Sequence, residues 1–238
     1  MTEEQIKSAV RKHYSELAVA KEPCCDTSCC TTDKAIDAPS ESIIVGASCG
    51  SPLAHTIVRE GAVVLDLGSG GGVDVFQASK LVGANGRVIG LDATPEMIFR
   101  ARETARKYDY RNVEFRLGEI EHMPIESDSV DLVISNCVLC LIPDKRAAFK
   151  KIYRVLKIGG KISISDMVAT QGSKKIINAE EWAACIAGAV TFKEYRDLLE
   201  ETGFRQIEAL DETHPTNEEM REKGLQVKSV AWMAQKPG

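Results

Sequence analysis

The stretch Val64-Leu65-Asp66-Leu67-Gly68-Ser69-Gly70-Gly71-Gly72 decides how this chain is read. An apolar run over 62–67 contains one acidic residue near its end and then breaks into glycines. The run reads as a buried strand, and the glycines as a tight turn into a helix over 73–82. Glycine lets the backbone approach a ligand closely, and the helix that follows offers N–H groups with no partner inside it.

The same alternation continues outward. Residues 87–91 read as a second strand ending at Asp92, and Thr94 caps the next helix. Pro95 takes that helix's first position, where the missing N–H does no harm. Residues 113–117, 131–135 and 161–165 read as three more strands. A helix over 144–157 opens at Asp144 and stops at Gly159-Gly160. Alternating strands and helices imply an α/β protein with a mostly parallel sheet covered on both faces. Further along, Asn178 with Glu181, and Thr191 with Glu194, carry helix-capping signatures, and Gly203 ends the second of these helices. Residues 205–210 and 226–234 supply two last strands.

Upstream, residues 3–17 fit an amphipathic helix, with Ile6, Ala9, Val10, Tyr14 and Leu17 at helical spacing and Thr2 as its cap. From 19 to 50 the pattern dissolves. A long patternless segment beside a compact fold is usually a functional loop or a disordered one. Three parts follow: an N-terminal helix and cysteine-rich lid (1–53), a ligand-binding core (54–170), and a C-terminal α+β part that completes the sheet and the substrate site (171–238).

The chain has 238 residues, 44% of them hydrophobic, enough for a full-sized core. Its net charge of −5 shows no basic cluster, so neither a nucleic-acid footprint nor a polybasic membrane patch is expected. The opening residues Met-Thr-Glu-Glu-Gln-Ile-Lys lack the apolar run of a signal peptide, and no stretch approaches a membrane span. A cytoplasmic location is the expectation. In a reducing compartment the eight cysteines are not expected to form structural disulfides. They then serve either as small buried side chains or as soft ligands.

The glycine turn suits either a dinucleotide or S-adenosylmethionine. Asp92, ending the next strand, is placed to accept ribose hydroxyls in both cases. Asp66 separates them. A carboxylate just before the glycines repels a pyrophosphate and suits the cationic amino-acid end of S-adenosylmethionine.

Five cysteines lie between 24 and 49: Cys24-Cys25, Cys29-Cys30, and Cys49 in Ser-Cys-Gly-Ser-Pro. Adjacent pairs lack the spacing of zinc ligands. His13, His55, His122 and His214 show no ligand spacing either. Cys137, in Ser135-Asn136-Cys137-Val138-Leu139, ends the fourth strand, where open α/β sheets hold their ligands. Cys140 reads as a core residue. Cys185 is expected on the capped helix after the fifth strand, on one face with Trp182.

The glycine stretch resembles the first motif of class I methyltransferases, which have a Rossmann-like sheet. Gly118-Glu119-Ile120-Glu121-His122-Met123-Pro124 and Arg154-Val155-Leu156-Lys157-x-Gly159-Gly160 resemble two of their later motifs. The resemblance implies that Asp66, Gly68, Ser69 and Gly70 lie near the methionine part of S-adenosylmethionine. It puts Asp92 and Ala93 at the ribose, Glu119 and Ile120 at the adenine, and Asn136 among the cofactor contacts.

A closer resemblance covers nearly the whole chain. The paired cysteines near 25, Cys-Gly-Ser-Pro at 49, Ser-Asn-Cys-Val at 135, Pro-Asp-Lys at 143 and Cys-Ile-x-Gly-Ala at 185 resemble arsenite methyltransferases. Two departures stand out. Ala47 and Ser48 precede Cys49 where the family has Tyr-x, and Cys140 stands where it has Asn. The resemblance implies transfer of methyl groups to trivalent arsenic held by Cys49, Cys137 and Cys185. Cys24, Cys25, Cys29 and Cys30 would be a gate or redox partner, and small thiols or a thioredoxin-type protein the reductant. Two other readings compete: a small-molecule C- or O-methyltransferase of the quinone-biosynthesis type, and a soft-metal sensor on a methyltransferase scaffold.

Overall fold

Val64, Leu65 and Leu67 are fully buried, and the strand they form, β1 (Val63–Leu67), is the centre from which the sheet extends. The computed structural model describes residues 1–19, 37–43, 50–170, 182–183, 185, 187–213 and 226–238. The first helix, α1 (Glu3–Val19), precedes the sheet, with Thr2 Oγ1 accepting from the Gln5 N–H at 3.3 Å. After β1 come α2 (Val73–Val82), β2 (Arg87–Asp92), α3 (Pro95–Lys107), β3 (Val113–Leu117) and β4 (Val130–Asn136). Then follow α4 (Lys145–Val155), β5 (Leu156–Ala169), β6 (Val190–Thr191), α5 (Phe192–Thr202), β7 (Arg205–Thr213) and β8 (Val227–Gln235).

The strand order is β3-β2-β1-β4-β5-β8-β7, with β6 pairing β5 off this path. Strands β1 to β6 pair in parallel; β8 runs antiparallel to both β5 and β7. The mostly parallel Rossmann-like sheet is therefore present. Successive residues of a strand point to opposite faces, which explains the two cores. Val64, Val88 and Ile134 pack on one face with Phe76, Ile98 and Ala101 of α2 and α3. Leu65, Leu67 and Val133 pack on the other with Phe149, Ile152, Tyr195 and Leu199 of α4 and α5. Tyr195 stacks on Trp232, with ring centroids 4.7 Å apart.

Two local expectations are corrected. The helix opened by Asp144 ends at Val155, not 157. Leu156 pairs with Val130 across the sheet, so ladder hydrogen bonds take over residues that the glycines alone assigned to the helix. Gly159, at φ +78, bends within the strand instead of ending a helix. Cys185 sits in a turn, not within a helix: its φ is +64 and its N–H donates to the Trp182 carbonyl at 3.1 Å. The Asn178–Glu181 capping signature lies outside the described residues. No helix among the described residues is long and apolar enough to cross a membrane.

The second capping signature is realised in full. Thr191 accepts from the Glu194 N–H at 3.2 Å, and Glu194 accepts from the Thr191 N–H at 2.8 Å. Thr191→Ala is expected to cost about 1 kcal/mol of stability, read from the denaturant midpoint, with Thr191→Ser retaining most of it.

Candidate active site

The parallel strands bring their carboxyl ends to one edge, and the order reverses at β1, where β2 lies on one side and β4 on the other. Such a switch point opens a crevice. The glycine loop sits there. Gly68, Gly70 and Gly72 have φ of +66, +51 and +93, a region closed to most side chains. Gly68 and Ser69 both donate to the Leu91 carbonyl, at 2.7 and 3.0 Å. A Cβ on Gly68 would lie 2.4 Å from Val138 Cγ2, so only a bare Cα lets the loop meet the turn after β4. A Cβ on Gly70 would meet nothing within 4 Å among the described residues, so the loop's other side is open.

Three carboxylates gather around this loop. Asp66 is buried at 3% exposure. Burial pushes its carboxyl well above the usual range, and Asp74 and Asp92 push it further. Burial also raises Asp74, to about 6, against a hydrogen bond from Asn136 that lowers it. Asp92 is raised by burial and partly offset by the N–H groups of Thr94 and Gly70, at 2.8 and 2.9 Å. Asp74 escaped the sequence reading; the available signal was an acidic residue in the first turn of the helix behind the glycines. Asn136 donates to the Gly50 carbonyl at 2.8 Å and to Asp74 at 3.4 Å, which brings residue 50 to the end of β4.

Glu119 is engaged by the N-terminal helix: it accepts from Lys7 at 2.8 Å and from Arg11 at 3.0 Å. Lys7 also pairs with Glu121 at 3.0 Å. Those ion pairs, together with Arg100 donating to the Ala18 carbonyl at 3.2 Å, dock α1 against the loops at the carboxyl ends. Ala93 follows Asp92 at the end of β2, and Ile120 is buried in the core.

Beyond Val138 the turn carries sulfur. The Sγ atoms of Cys137, Cys140 and Cys185 lie within 4.8 Å of one another. Cys140 is fully buried; Cys137 and Cys185 are 9% and 8% exposed. Against the expectation of no disulfides, Cys137 is disulfide-bonded, whereas Cys140 and Cys185 are free thiols. Val10 and Tyr14 of α1 pack over the group, and Tyr14 Oη lies 3.6 Å from Cys185 Sγ. Beneath it, the buried Asp166 accepts from the N–H groups of Cys140 and Met167, at 3.3 and 3.0 Å, and from Tyr195 Oη at 3.4 Å. Burial raises both Asp166 and the Cys140 thiol, and lowers Lys145, whose ammonium donates to the carbonyls of Cys140 and Ile142. Gly188 seats the Cys185 turn, because a Cβ there would lie 1.9 Å from the Cys140 carbonyl oxygen. Of the residues expected at the arsenic site, Cys137 and Cys185 are brought together. Cys140, expected only to fill the core, joins them. Cys24, Cys25, Cys29, Cys30 and Cys49 lie outside the described residues.

An open parallel sheet, a glycine loop at its switch point and a cup of carboxylates define a class I methyltransferase. The family model described as "Methyltransferase domain" matches residues 59–203. An arsenite methyltransferase of Halobacterium salinarum is 38% identical over 86% of this chain and 59% of its own length. Another, from Aquipseudomonas alcaligenes, is 35% identical over 65% of this chain and 47% of its own. The crystal structure of an arsenic(III) S-adenosylmethionine methyltransferase from Chlamydomonas reinhardtii superposes with a TM-score of 0.71 at 32% identity, covering 85% of this chain and 71% of that one. The chain belongs to the arsenite methyltransferase family. It spans 59% and 47% of the length of these two curated relatives.

The ion pairs holding α1 are partly exposed and individually weak, so salt and single substitutions loosen them. Replacing Lys7 and Arg11 together by Ala is expected to speed the reaction of Cys185 with an aromatic disulfide reagent severalfold, the scale of about 1 kcal/mol. An unchanged rate would mean that apolar contacts alone hold α1 over the thiols.

Proposed function

We propose that this chain binds S-adenosylmethionine at the glycine loop and transfers its methyl group to trivalent arsenic held by cysteine sulfur. The observation that carries this reading is that the sulfurs of Cys137 and Cys185 lie within 4.8 Å of each other beside the loop, linked to it through the contact of Gly68 with Val138. The names printed for the relatives support it.

The cofactor fits the residues present. Its positive charge suits a concave surface with Asp66, Asp74 and Asp92 around it, where burial penalises unpartnered carboxylates. Asp92 would hold the ribose beside Ala93. Asp66, Gly68, Ser69 and Gly70 would border the methionine part, with Asn136 orienting Asp74. Glu119 and Ile120 would border the adenine, although the Glu119 carboxylate is already shared with Lys7 and Arg11. When bound, S-adenosylmethionine supplies an electrophilic methyl group on a sulfonium.

The chain's own tasks are then positional. Trivalent arsenic keeps a lone pair when bound to sulfur, so no general base is needed. Cys137 and Cys185 would fix the arsenic beside the loop, and α1 would keep water away through Val10 and Tyr14. The hydrogen bond from Asn136 to Gly50 supports Cys49, the preceding residue, as a further ligand. Because Cys137 is disulfide-bonded, a small thiol or thioredoxin-type dithiol would have to reduce it before arsenic binds. The division of labour gives residues 1–53 to the lid and its thiols, 54–170 to the cofactor, and 171–238 to the substrate side of the sheet. A carbon or oxygen acceptor would call for an accessible acid or base at the thiols. Asp166, the carboxylate there, is fully buried and accepts from two N–H groups and a phenol.

Mass spectrometry of arsenicals after incubation with arsenite, S-adenosylmethionine and a thiol tests the reading directly. Cys137→Ser or Cys185→Ser is expected to abolish methylation while leaving S-adenosylmethionine affinity within a few-fold, since serine keeps the shape and loses the soft ligand. Full activity in both variants would hand the site to a carbon or oxygen acceptor.

The raised Asp74 carboxyl gives a pH signature. A cation favours the ionised form, so affinity for S-adenosylmethionine should climb as pH rises through about 6 and flatten above. Stability without ligand runs the other way. The folded carboxyl sits above its ordinary value of 3.8, so the folded chain binds the extra proton and loses stability as pH rises from there to about 6. Calorimetric titration across this range should show the climb in the native chain and a shallower one in Asp74→Asn, where Asp66 and Asp92 still titrate.

A further inference from the structure

Cys140 is the sulfur that neither its place in the sequence nor the reading above employs, yet it lies within 4.8 Å of both Cys137 and Cys185. It is positioned from several directions. It belongs to a short helical turn, Leu139–Leu141, its N–H donates to Asp166, and its carbonyl accepts from Lys145. The two sulfurs facing it come from strained backbone. Cys137 at φ +59 and Cys185 at φ +64 both occupy the left-handed region, which non-glycine residues adopt only when the surroundings impose it. The Ser165 carbonyl accepts the Cys137 N–H at 2.8 Å, the Trp182 carbonyl accepts the Cys185 N–H at 3.1 Å, and Gly188 presses the second turn onto the first. Strain at Cys137 and Cys185, on two turns whose sulfurs gather beside that of Cys140, marks a built site and not a filled core.

We propose that Cys140 is a third sulfur ligand of trivalent arsenic, so that Cys137, Cys140 and Cys185 hold it from the folded core without a sulfur from residues 24–49. The inference rests on arsenite being the substrate. Three thiols and arsenious acid combine with loss of three waters: each As–O bond is exchanged for an As–S bond, and each thiol proton leaves with a hydroxide. The product is neutral, as buried surroundings require. A divalent cation on three thiolates would instead leave a net negative charge beside the buried Asp166. Cys137 enters as a thiol once a reductant has opened its disulfide.

The test uses the full chain under a phosphine reductant, which opens disulfides without adding a competing thiol. Arsenic X-ray absorption then counts the sulfur neighbours of bound arsenite. Replacing Cys24, Cys25, Cys29, Cys30 and Cys49 by Ser leaves three of the eight cysteines. Three sulfur neighbours in this variant are the expected result, and they can only be Cys137, Cys140 and Cys185. Two or fewer, while the native chain still binds arsenite, would overturn the assignment. Adding Cys140→Ser should lower the count to two and weaken arsenite binding about 100-fold, the scale of losing one tethered ligand. Affinity for S-adenosylmethionine reports whether that variant folds; if it does not, the three-cysteine variant decides alone. A native chain that binds no arsenite would instead remove the arsenite reading itself.

Discussion

The contact between Gly68 and Val138 is the constraint on which the site depends. Strands β1 and β4 pair in parallel and end together, so their two following turns compete for one space. The missing side chain at Gly68 resolves the competition in favour of Val138. As a result, a carboxylate-lined cup and a group of sulfurs, carried by turns some seventy residues apart, stand side by side. An antiparallel pair would have sent the two turns to opposite edges of the sheet.

The two halves solve opposite electrostatic problems. Around the glycine loop, three carboxylates are held close together and partly dehydrated, and all three are raised. That arrangement is unfavourable until a cation arrives, which is a reason to regard it as a binding surface and not as a structural network. Around the cysteines burial raises Asp166 and the Cys140 thiol and lowers Lys145, so it favours the uncharged forms. The buried Asp166 is satisfied by two N–H groups and a phenol, and Lys145 is held by two carbonyls. The soft-metal-sensor alternative lacks a use for the first half, since a sensor of thiol-bound metal needs no carboxylate cup.

Helix α1 ties the halves together. Lys7 and Arg11 reach Glu119 and Glu121 near the cup, while Val10 and Tyr14, on the same helix, cover the sulfurs. One helix therefore touches both halves, through ion pairs in one place and apolar contact in the other. The four positions are spaced three or four residues apart, so they form one face.

The sequence by itself determined the sheet and the glycine loop, and it singled out Cys137 and Cys185, whose sulfurs the fold brings together. Strand and helix periods, caps and turns are local properties, and Asp144 and the Thr191–Glu194 pair act within a few residues of themselves. The family resemblance rested on the same local motifs. What needed the tertiary structure was anything set by contact across the sheet. The α4 boundary moved because Leu156 found Val130, a partner distant in sequence that no local pattern around the helix reveals. Asp74 and Glu119 acquired their surroundings from Asn136 and from α1, both distant in sequence. Cys140 looked like a small buried residue because a buried cysteine and a ligating one have the same local pattern. Only the fold, by bringing Cys185 to it from another turn, puts Cys140 in a group of three sulfurs.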